Sequence, residues 1–207
     1  AAREVSGDFF SFYPHNDSIY FIIADVAGKG IHAGMVMAKA STLFEVLSQS
    51  KLDPDEMAFH MNNDLNQTKT SGMFVTSIVG EYNLITDEIR WVNAGHQPAV
   101  LRDENGKYSQ FESSAPPLGV IKQKEKSIYI TNKTKLNGSR FYAFTDGLSE
   151  SLDDKGEEIG IEGSIEIIEE NFNTDTSKQL DKITKTIMDI SQSRNLSDDL
   201  TLISIGK

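Results

Sequence analysis

The order of hydrophobic patterns along the chain constrains its fold more than any other sequence feature. A predicted strand is followed by two helices, a long series of strands, two more helices and a closing strand. The predicted strands are Ser18–Ala24, Met73–Tyr82, Glu88–Asn93, Pro98–Arg102, Lys107–Glu112, Ser127–Thr131, Arg140–Thr145 and Leu200–Ile205. The predicted helices cover residues 33–50, 54–66, 162–171 and 176–194. Since strands and helices do not alternate as βαβ units, the order favours an antiparallel α+β layered fold over a parallel doubly wound sheet.

Acidic residues occur beside the ends of several predicted strands. Four short signatures share this feature, and they are Ser6–Phe10, Ala24–Gly30, Thr145–Gly147 and Ser197–Thr201. Carboxylate oxygens are hard ligands of the kind that Mg²⁺ and Mn²⁺ prefer. The set therefore indicates a divalent-cation site, although a single Asp-Gly pair usually marks only a turn.

Each signature also has a plainer explanation when it is considered alone. Asp8 is typical of a turn or a cap, and Asp146 of a strand-to-turn transition. Asp25 ends a strongly apolar strand, where a carboxylate is costly unless it meets a cation or hydrogen-bond donors, so a metal ligand and a helix cap are equally good interpretations. Asp198 and Asp199 repel each other, which leaves them either solvated or neutralised by positive charge.

Two further motifs do not indicate a site by themselves. Gly28-Lys29-Gly30 fails the Walker pattern, which needs Ser or Thr after the Lys and a Gly where this chain has Ile23. His96 is more typical of a histidine held by hydrogen bonds at a tight turn than of a catalytic base.

Composition excludes several classes of function. The 207 residues fit one domain, and the net charge of −11 argues against nucleic acid as a partner, because binding to phosphate backbones needs clustered Lys and Arg. The chain has no cysteine, which excludes disulfides and every Cys-nucleophile mechanism and fits a cytoplasmic protein. Its apolar segments are too short to span a bilayer, so we expect no membrane contact by this domain.

Taken in order, the motifs resemble the metal-dependent PPM-type serine/threonine phosphatases, specifically the bacterial SpoIIE/RsbU branch. The pieces that carry the resemblance are Val5–Phe10, Ala24–Gly30, Met73–Thr76, Asn93–Pro98, Pro117–Gly119, Phe144–Gly147 and Ser197–Thr201. The resemblance implies a four-layer α-β-β-α sandwich of two antiparallel sheets flanked by helices. It also implies a single phosphatase domain over residues 1–207, which we expect to be excised from a longer multidomain chain.

The same resemblance implies a centre of two Mn²⁺ or Mg²⁺ ions at one end of the sandwich. Carried over by position, the catalytic metal-binding carboxylates are Asp8, Asp25, Asp146 and Asp198, and the Val26 carbonyl is a backbone ligand. Asp199 is expected to lie just outside the ligands, beside Asp198. Arg3 resembles an arginine that binds the substrate phosphate.

Three departures from the family pattern bear on activity. Many relatives have an acid where this chain has Ser11, which predicts altered metal affinity. Ala27 occupies the position at which eukaryotic relatives carry a proposed proton donor, so the donor is unassigned. We also expect the family's leading strand to be truncated before Ala1.

The implied reaction is hydrolysis of phosphoserine or phosphothreonine on a regulatory protein, with an anti-sigma-factor antagonist as the expected substrate. The hypothesis for the chemistry is in-line attack by a hydroxide held between two divalent metals. The resemblance also implies control by an upstream sensor or receiver domain and formation of a homodimer. The alternative is a catalytically weak regulatory binding module of the same fold.

Overall fold

The computed structural model describes residues 7–67, 72–153, 155–173, 175–191 and 199–206. The predictions for Arg3, for Asp198 and for the end of the last helix at Arg194 lie outside the described residues. None of the described helices is long and apolar enough to cross a membrane.

The elements follow the predicted order. The strands are β1 (Phe9–His15), β2 (Ser18–Val26), β3 (Val75–Asn83), β4 (Glu88–Ala94), β5 (Ala99–Arg102), β6 (Tyr108–Phe111), β7 (Asn132–Lys135), β8 (Arg140–Phe144) and β9 (Leu202–Ile205). The helices are α1 (Ile31–Ser48), α2 (Pro54–Gln67), α3 (Asp146–Ser149), α4 (Gly160–Glu170) and α5 (Thr176–Ser191).

The strands form two antiparallel sheets. One has five strands in the order β1-β2-β3-β4-β7, and the other has four in the order β6-β5-β8-β9. Every pairing between named strands is antiparallel. The predicted α+β sandwich of two antiparallel sheets flanked by helices is therefore confirmed.

Residues of β2 alternate between two separate cores. Phe21 and Ile23 pack between the two sheets, whereas Tyr20, Ile22 and Ala24 pack against α1 and α2. Successive side chains of a strand point to opposite faces, so a strand covered on both faces must be apolar at nearly every position. This explains the unbroken apolar run of β2, which a strand with one solvated face would not need.

The four-stranded sheet is covered in the same way on its outer face. Phe141 and Ala143 of β8 face the core between the sheets, while Tyr142 and Phe144 pack with apolar residues of α4 and α5. The layers are therefore helices, sheet, sheet and helices. This arrangement brings the ends of strands from both sheets to one edge of the sandwich.

Three details differ from the sequence predictions, the first being the one-turn helix α3, which was not predicted. Residues 127–131 are not a strand: Lys126–Ile128 is a 3₁₀ turn, in which the Tyr129 N–H donates to the Lys126 carbonyl at 2.9 Å, and β7 begins only at Asn132. Ile128 and Tyr129 pack into the core that contains α2, so this segment is a turn and does not alternate on a sheet. Strand β1 was not predicted, because Phe10 and Phe12 on one of its faces remain exposed and its pattern lacks a clear buried side.

Packing between the sheets should dominate stability. Phe141 is fully buried and contacts the rings of Phe21 and Trp91, with centroids 5.8 and 5.1 Å away. We expect Phe141→Ala to lower the free energy of unfolding by about 3–5 kcal/mol, because it leaves a cavity in the core. Urea unfolding measures this, with the exposed Phe10→Ala as the matched control, expected to change stability by less than about 1 kcal/mol. Equal losses in the two variants would contradict this description of the core.

Candidate metal centre

The pairing of β1 with β2 brings two of the predicted carboxylates together. Phe9 lies opposite Ala24, so Asp8 at the start of β1 and Asp25 near the end of β2 occupy the same edge of the five-stranded sheet. The Val26 N–H donates to the Gly7 carbonyl at 3.2 Å, which extends the pairing past the strand. Residues separated by a hairpin thus become neighbours through register alone.

Asp8 also connects this edge to the other sheet. Its Oδ2 accepts hydrogen bonds from the Thr145 hydroxyl at 2.6 Å and from the Thr201 hydroxyl at 3.0 Å. Thr145 directly follows β8 and Thr201 directly precedes β9, and the Thr201 N–H donates to the Thr145 hydroxyl at 3.0 Å. The two threonines fix the orientation of a carboxylate that belongs to the opposite sheet.

The electrostatic environment of Asp8 includes two other predicted ligands, Asp25 and Asp146. Burial, helped by the negative charges of Asp25 and Asp146, raises the pKa of Asp8 from its ordinary 3.8 to about 7, against the opposing effect of the two threonine hydrogen bonds. Like charges that act on one another in a partly desolvated place disfavour ionisation. A cation bound among them would reverse this penalty, which is the behaviour expected of a metal site.

Two glycines let the backbone approach the carboxylates closely. A Cβ on Gly7 would lie 2.6 Å from the Val26 carbonyl oxygen and 2.8 Å from Asp25 Oδ1. A Cβ on Gly147 would lie 2.0 Å from the carbonyl oxygen of Asp199. A larger residue at position 7 would displace two predicted ligands, and one at position 147 would displace the Asp199 backbone, so both glycines have a packing reason to be there.

The predicted site residues can now be placed individually. The charges of Asp25 and Asp146 act on Asp8, and the Val26 carbonyl lies beside Gly7. The Asp199 side chain is exposed, while its backbone packs against Gly147. Within the described ranges, no three His, Cys, Asp or Glu side chains form a group that could hold a metal as they stand. The fourth predicted ligand, Asp198, is not among the described residues.

The available donors nevertheless fit Mg²⁺ or Mn²⁺. They are carboxylate and carbonyl oxygens, which suit hard divalent cations. Two independent observations indicate a site suited to a positive charge. The pKa of Asp8 is raised, and the oxygens of Val26 and Asp25 approach Gly7 so closely that only a residue without a side chain fits there.

Sequence reasoning missed the threonines that hold Asp8. Both stand inside signatures quoted for their acids, at the exit of β8 and the entry to β9, and that placement is the only signal that could have identified them. Hydroxyl donors at strand ends are common, and only the packing of the two sheets aims these two at one carboxylate.

His96 supports the same edge without entering the carboxylate group. Its Nδ1 lies 3.0 Å from the hydroxyl of Thr76, the residue that pairs with Asp25 across β2 and β3. Its backbone N–H donates to Asn93 Oδ1 at 2.9 Å. Burial lowers the pKa of His96 to about 4, so its ring is neutral at pH 7. This agrees with the interpretation of a histidine held by hydrogen bonds at a turn.

The metal-free site should make stability depend on pH. The folded-state pKa of Asp8 is about 7 and the ordinary value is 3.8, so the native chain holds more protons than the unfolded chain between these values. Its contribution to stability therefore falls as pH rises through this window. We expect Asp8→Asn, which removes this ionisation, to raise the Tm relative to the original chain more at about pH 8 than at about pH 5 in excess chelator.

The same thermal scans with Mn²⁺ provide the complementary measurement. Added Mn²⁺ should raise the Tm of the unaltered chain, since a ligand that binds only the native state stabilises it. The Asp8→Asn variant should respond less. A Tm difference in chelator that is the same at both pH values would contradict the assignment of a raised pKa to Asp8.

Comparison with known proteins identifies the family. Residues 15–206 match the family described as Stage II sporulation protein E (SpoIIE). The phosphoserine phosphatase RsbU of Bacillus subtilis is 25% identical over 209 residues, which cover 100% of this chain and 61% of RsbU. The chain therefore spans less than two thirds of the length of this relative.

Solved structures share the fold at low sequence identity. The PP2C domain of SiaA from Pseudomonas aeruginosa superposes with a TM-score of 0.85 at 14% identity, covering 98% of this chain and 81% of that one. RsbX, crystallised in complex with magnesium, superposes with a TM-score of 0.69 at 20% identity, covering 97% of this chain and 86% of that one. Since the family match extends over nearly all of the chain, this protein belongs to the SpoIIE family, as the order of its motifs predicted.

Proposed function

We propose that this domain hydrolyses phosphoserine or phosphothreonine on a regulatory protein and that it requires Mg²⁺ or Mn²⁺ to do so. The observation that carries the proposal is the coupling of Asp8 to Asp25 and Asp146 at one edge of the sandwich. The named relative RsbU is a phosphoserine phosphatase, which supports the same reaction here.

The proposed ligands of two ions are Asp8, Asp25, Asp146, Asp198 and the Val26 carbonyl. When bound, the ions would activate a water for attack on phosphorus and neutralise charge on the phosphoryl oxygens. Asp199 would support Asp198 from its neighbouring position. Arg3 would pair with the substrate phosphate through its planar guanidinium.

The residues of the chain itself contribute orientation and charge. The hydroxyls of Thr145 and Thr201 hold the Asp8 carboxylate in one orientation across the two sheets. Half-burial of Asp25 and Asp146 limits the water around them and strengthens their attraction for a cation. The chain contains no cysteine, so hydrolysis cannot proceed through a cysteinyl-phosphate intermediate.

The proposed substrate is a phosphorylated anti-sigma-factor antagonist, and the proposed controls are an upstream sensor or receiver domain and a homodimer. RsbU extends well beyond the part that this chain covers, which leaves room for such a regulatory domain in a relative. The net charge of −11 argues against nucleic acid as the substrate.

Hydrolysis of an aryl phosphate with Mn²⁺ tests the proposal directly. We expect activity that excess chelator abolishes, and a loss of at least about a hundredfold in kcat/KM for both Asp25→Asn and Asp146→Asn, since each removes a charged ligand. The matched control is Asp17→Asn, an exposed acid in the turn at the other end of β1 and β2, which should leave activity unchanged.

Two results would count against this function. Full metal-dependent activity in both the Asp25→Asn and the Asp146→Asn variant would show that these acids are not metal ligands. Binding of Mn²⁺ by the unaltered chain without hydrolysis of any phosphoester would instead favour the regulatory binding module.

A further inference from the structure

A loop between β6 and β7 presents apolar and basic side chains to solvent. Val120 and Ile121 are 46% and 61% exposed, and Lys122 and Lys124 after them are exposed as well. Scattered apolar residues on a surface need no explanation, but adjacent ones rimmed by charge are typical of interaction sites. We refer to residues 120–124 as the 120–124 loop.

The backbone of this loop is held in place by two asparagines of α2. Asn62, 1% exposed, accepts from the Gly119 N–H at 2.9 Å and donates to the Ile121 carbonyl at 3.1 Å. Asn63 accepts from the Gln123 N–H at 2.8 Å. These three hydrogen bonds fix the loop conformation while the apolar side chains stay outside. A surface held in this way loses little entropy when a partner binds.

The loop begins next to the edge of the sandwich at which Asp8 and Asp25 lie. Leu118 and Val75 exchange backbone hydrogen bonds of 2.8 and 2.9 Å at the start of β3. One residue earlier, the Phe74 carbonyl accepts from the N–H of Ala27, which lies two residues after Asp25. A partner whose phosphate reached the metal centre would therefore pass close to the 120–124 loop.

The charge of the loop is opposite to that of the chain. The net charge is −11, yet Lys122 and Lys124 form no salt bridge within the described part of the chain. Lys126, by contrast, is bound by Asp55 at 3.1 Å and Glu56 at 3.0 Å. The two lysines therefore present positive charge to solvent, which can pair with acidic segments of a partner and set their register.

We propose that the 120–124 loop is a docking surface for the phosphoprotein substrate. It selects segments whose phosphorylated residue is flanked by apolar and acidic side chains: the apolar ones cover Val120 and Ile121, and the acidic ones pair with Lys122 and Lys124. The inference rests on the proposed function, because it places the substrate at the same centre.

Matched double variants separate docking from chemistry. Ile121→Ser/Lys122→Ser alters the loop, whereas Ile85→Ser/Lys133→Ser makes the same changes at exposed positions at the other end of β3 and on β7. The probes are an aryl phosphate and two synthetic phosphoserine peptides, one with Leu and Glu beside the phosphoserine and one with Ser and Gly there. Fluorescence anisotropy of the labelled peptides on metal-free protein provides a measurement independent of turnover.

We expect the loop variant to lose about tenfold in kcat/KM and in affinity for the Leu/Glu peptide, a typical effect of removing one apolar and one charged contact. Hydrolysis of the aryl phosphate and of the Ser/Gly peptide should stay unchanged, as should every activity of the control variant.

Equal use of the Leu/Glu peptide by the loop variant and the unaltered chain would overturn the docking surface, as would a parallel loss on the aryl phosphate. If the unaltered chain hydrolyses no probe, the proposed function fails. The anisotropy difference between the two variants then still decides whether the loop binds the peptide.

Discussion

The two hydrogen bonds that Asp8 accepts from Thr145 and Thr201 hold the functional edge of this molecule together. Asp8 precedes the first strand of one sheet, and the threonines flank strands of the other. The partners are 137 and 193 residues apart in the sequence, so these bonds form only when the sandwich has assembled. The carboxylate site is therefore a property of the packed sheets and of no single segment.

The same assembly creates an electrostatic cost. Burial of Asp8, together with the negative charges of Asp25 and Asp146, disfavours ionisation and raises the pKa of Asp8 to about 7. A chain selected for stability alone would have little reason to keep three interacting acids where two sheets meet. Divalent cations would convert this repulsion into attraction, which connects the stability of the fold with occupation of the site. The glycines at positions 7 and 147 allow the close backbone approach that the arrangement requires.

Sequence patterns predicted the central strands β2, β3, β4 and β8 because these are covered on both faces. Runs such as β2 are apolar at nearly every position and stand out from their surroundings. Prediction failed where a strand buries only one face and where a turn buries only a few side chains. Strand β1 exposes Phe10 and Phe12, and the segment around Tyr129 buries its ring beside α2 from a 3₁₀ turn. In both places contacts with residues distant in the sequence decide between strand and turn. The local sequence therefore shows no hydrophobic periodicity that would predict the outcome.

The sequence by itself determined the layered antiparallel α+β fold, the SpoIIE family and the acids Asp8, Asp25, Asp146 and Asp198 as a candidate set, because motif order and apolar periodicity are properties of the sequence itself. Only the tertiary structure decided that Thr145 and Thr201 orient Asp8 and that asparagines of α2 fix the 120–124 loop beside the same edge. Hydroxyl and amide groups occur throughout the chain. Their roles depend on distance and direction to residues far away in sequence, and packing of the sheets and helices sets both.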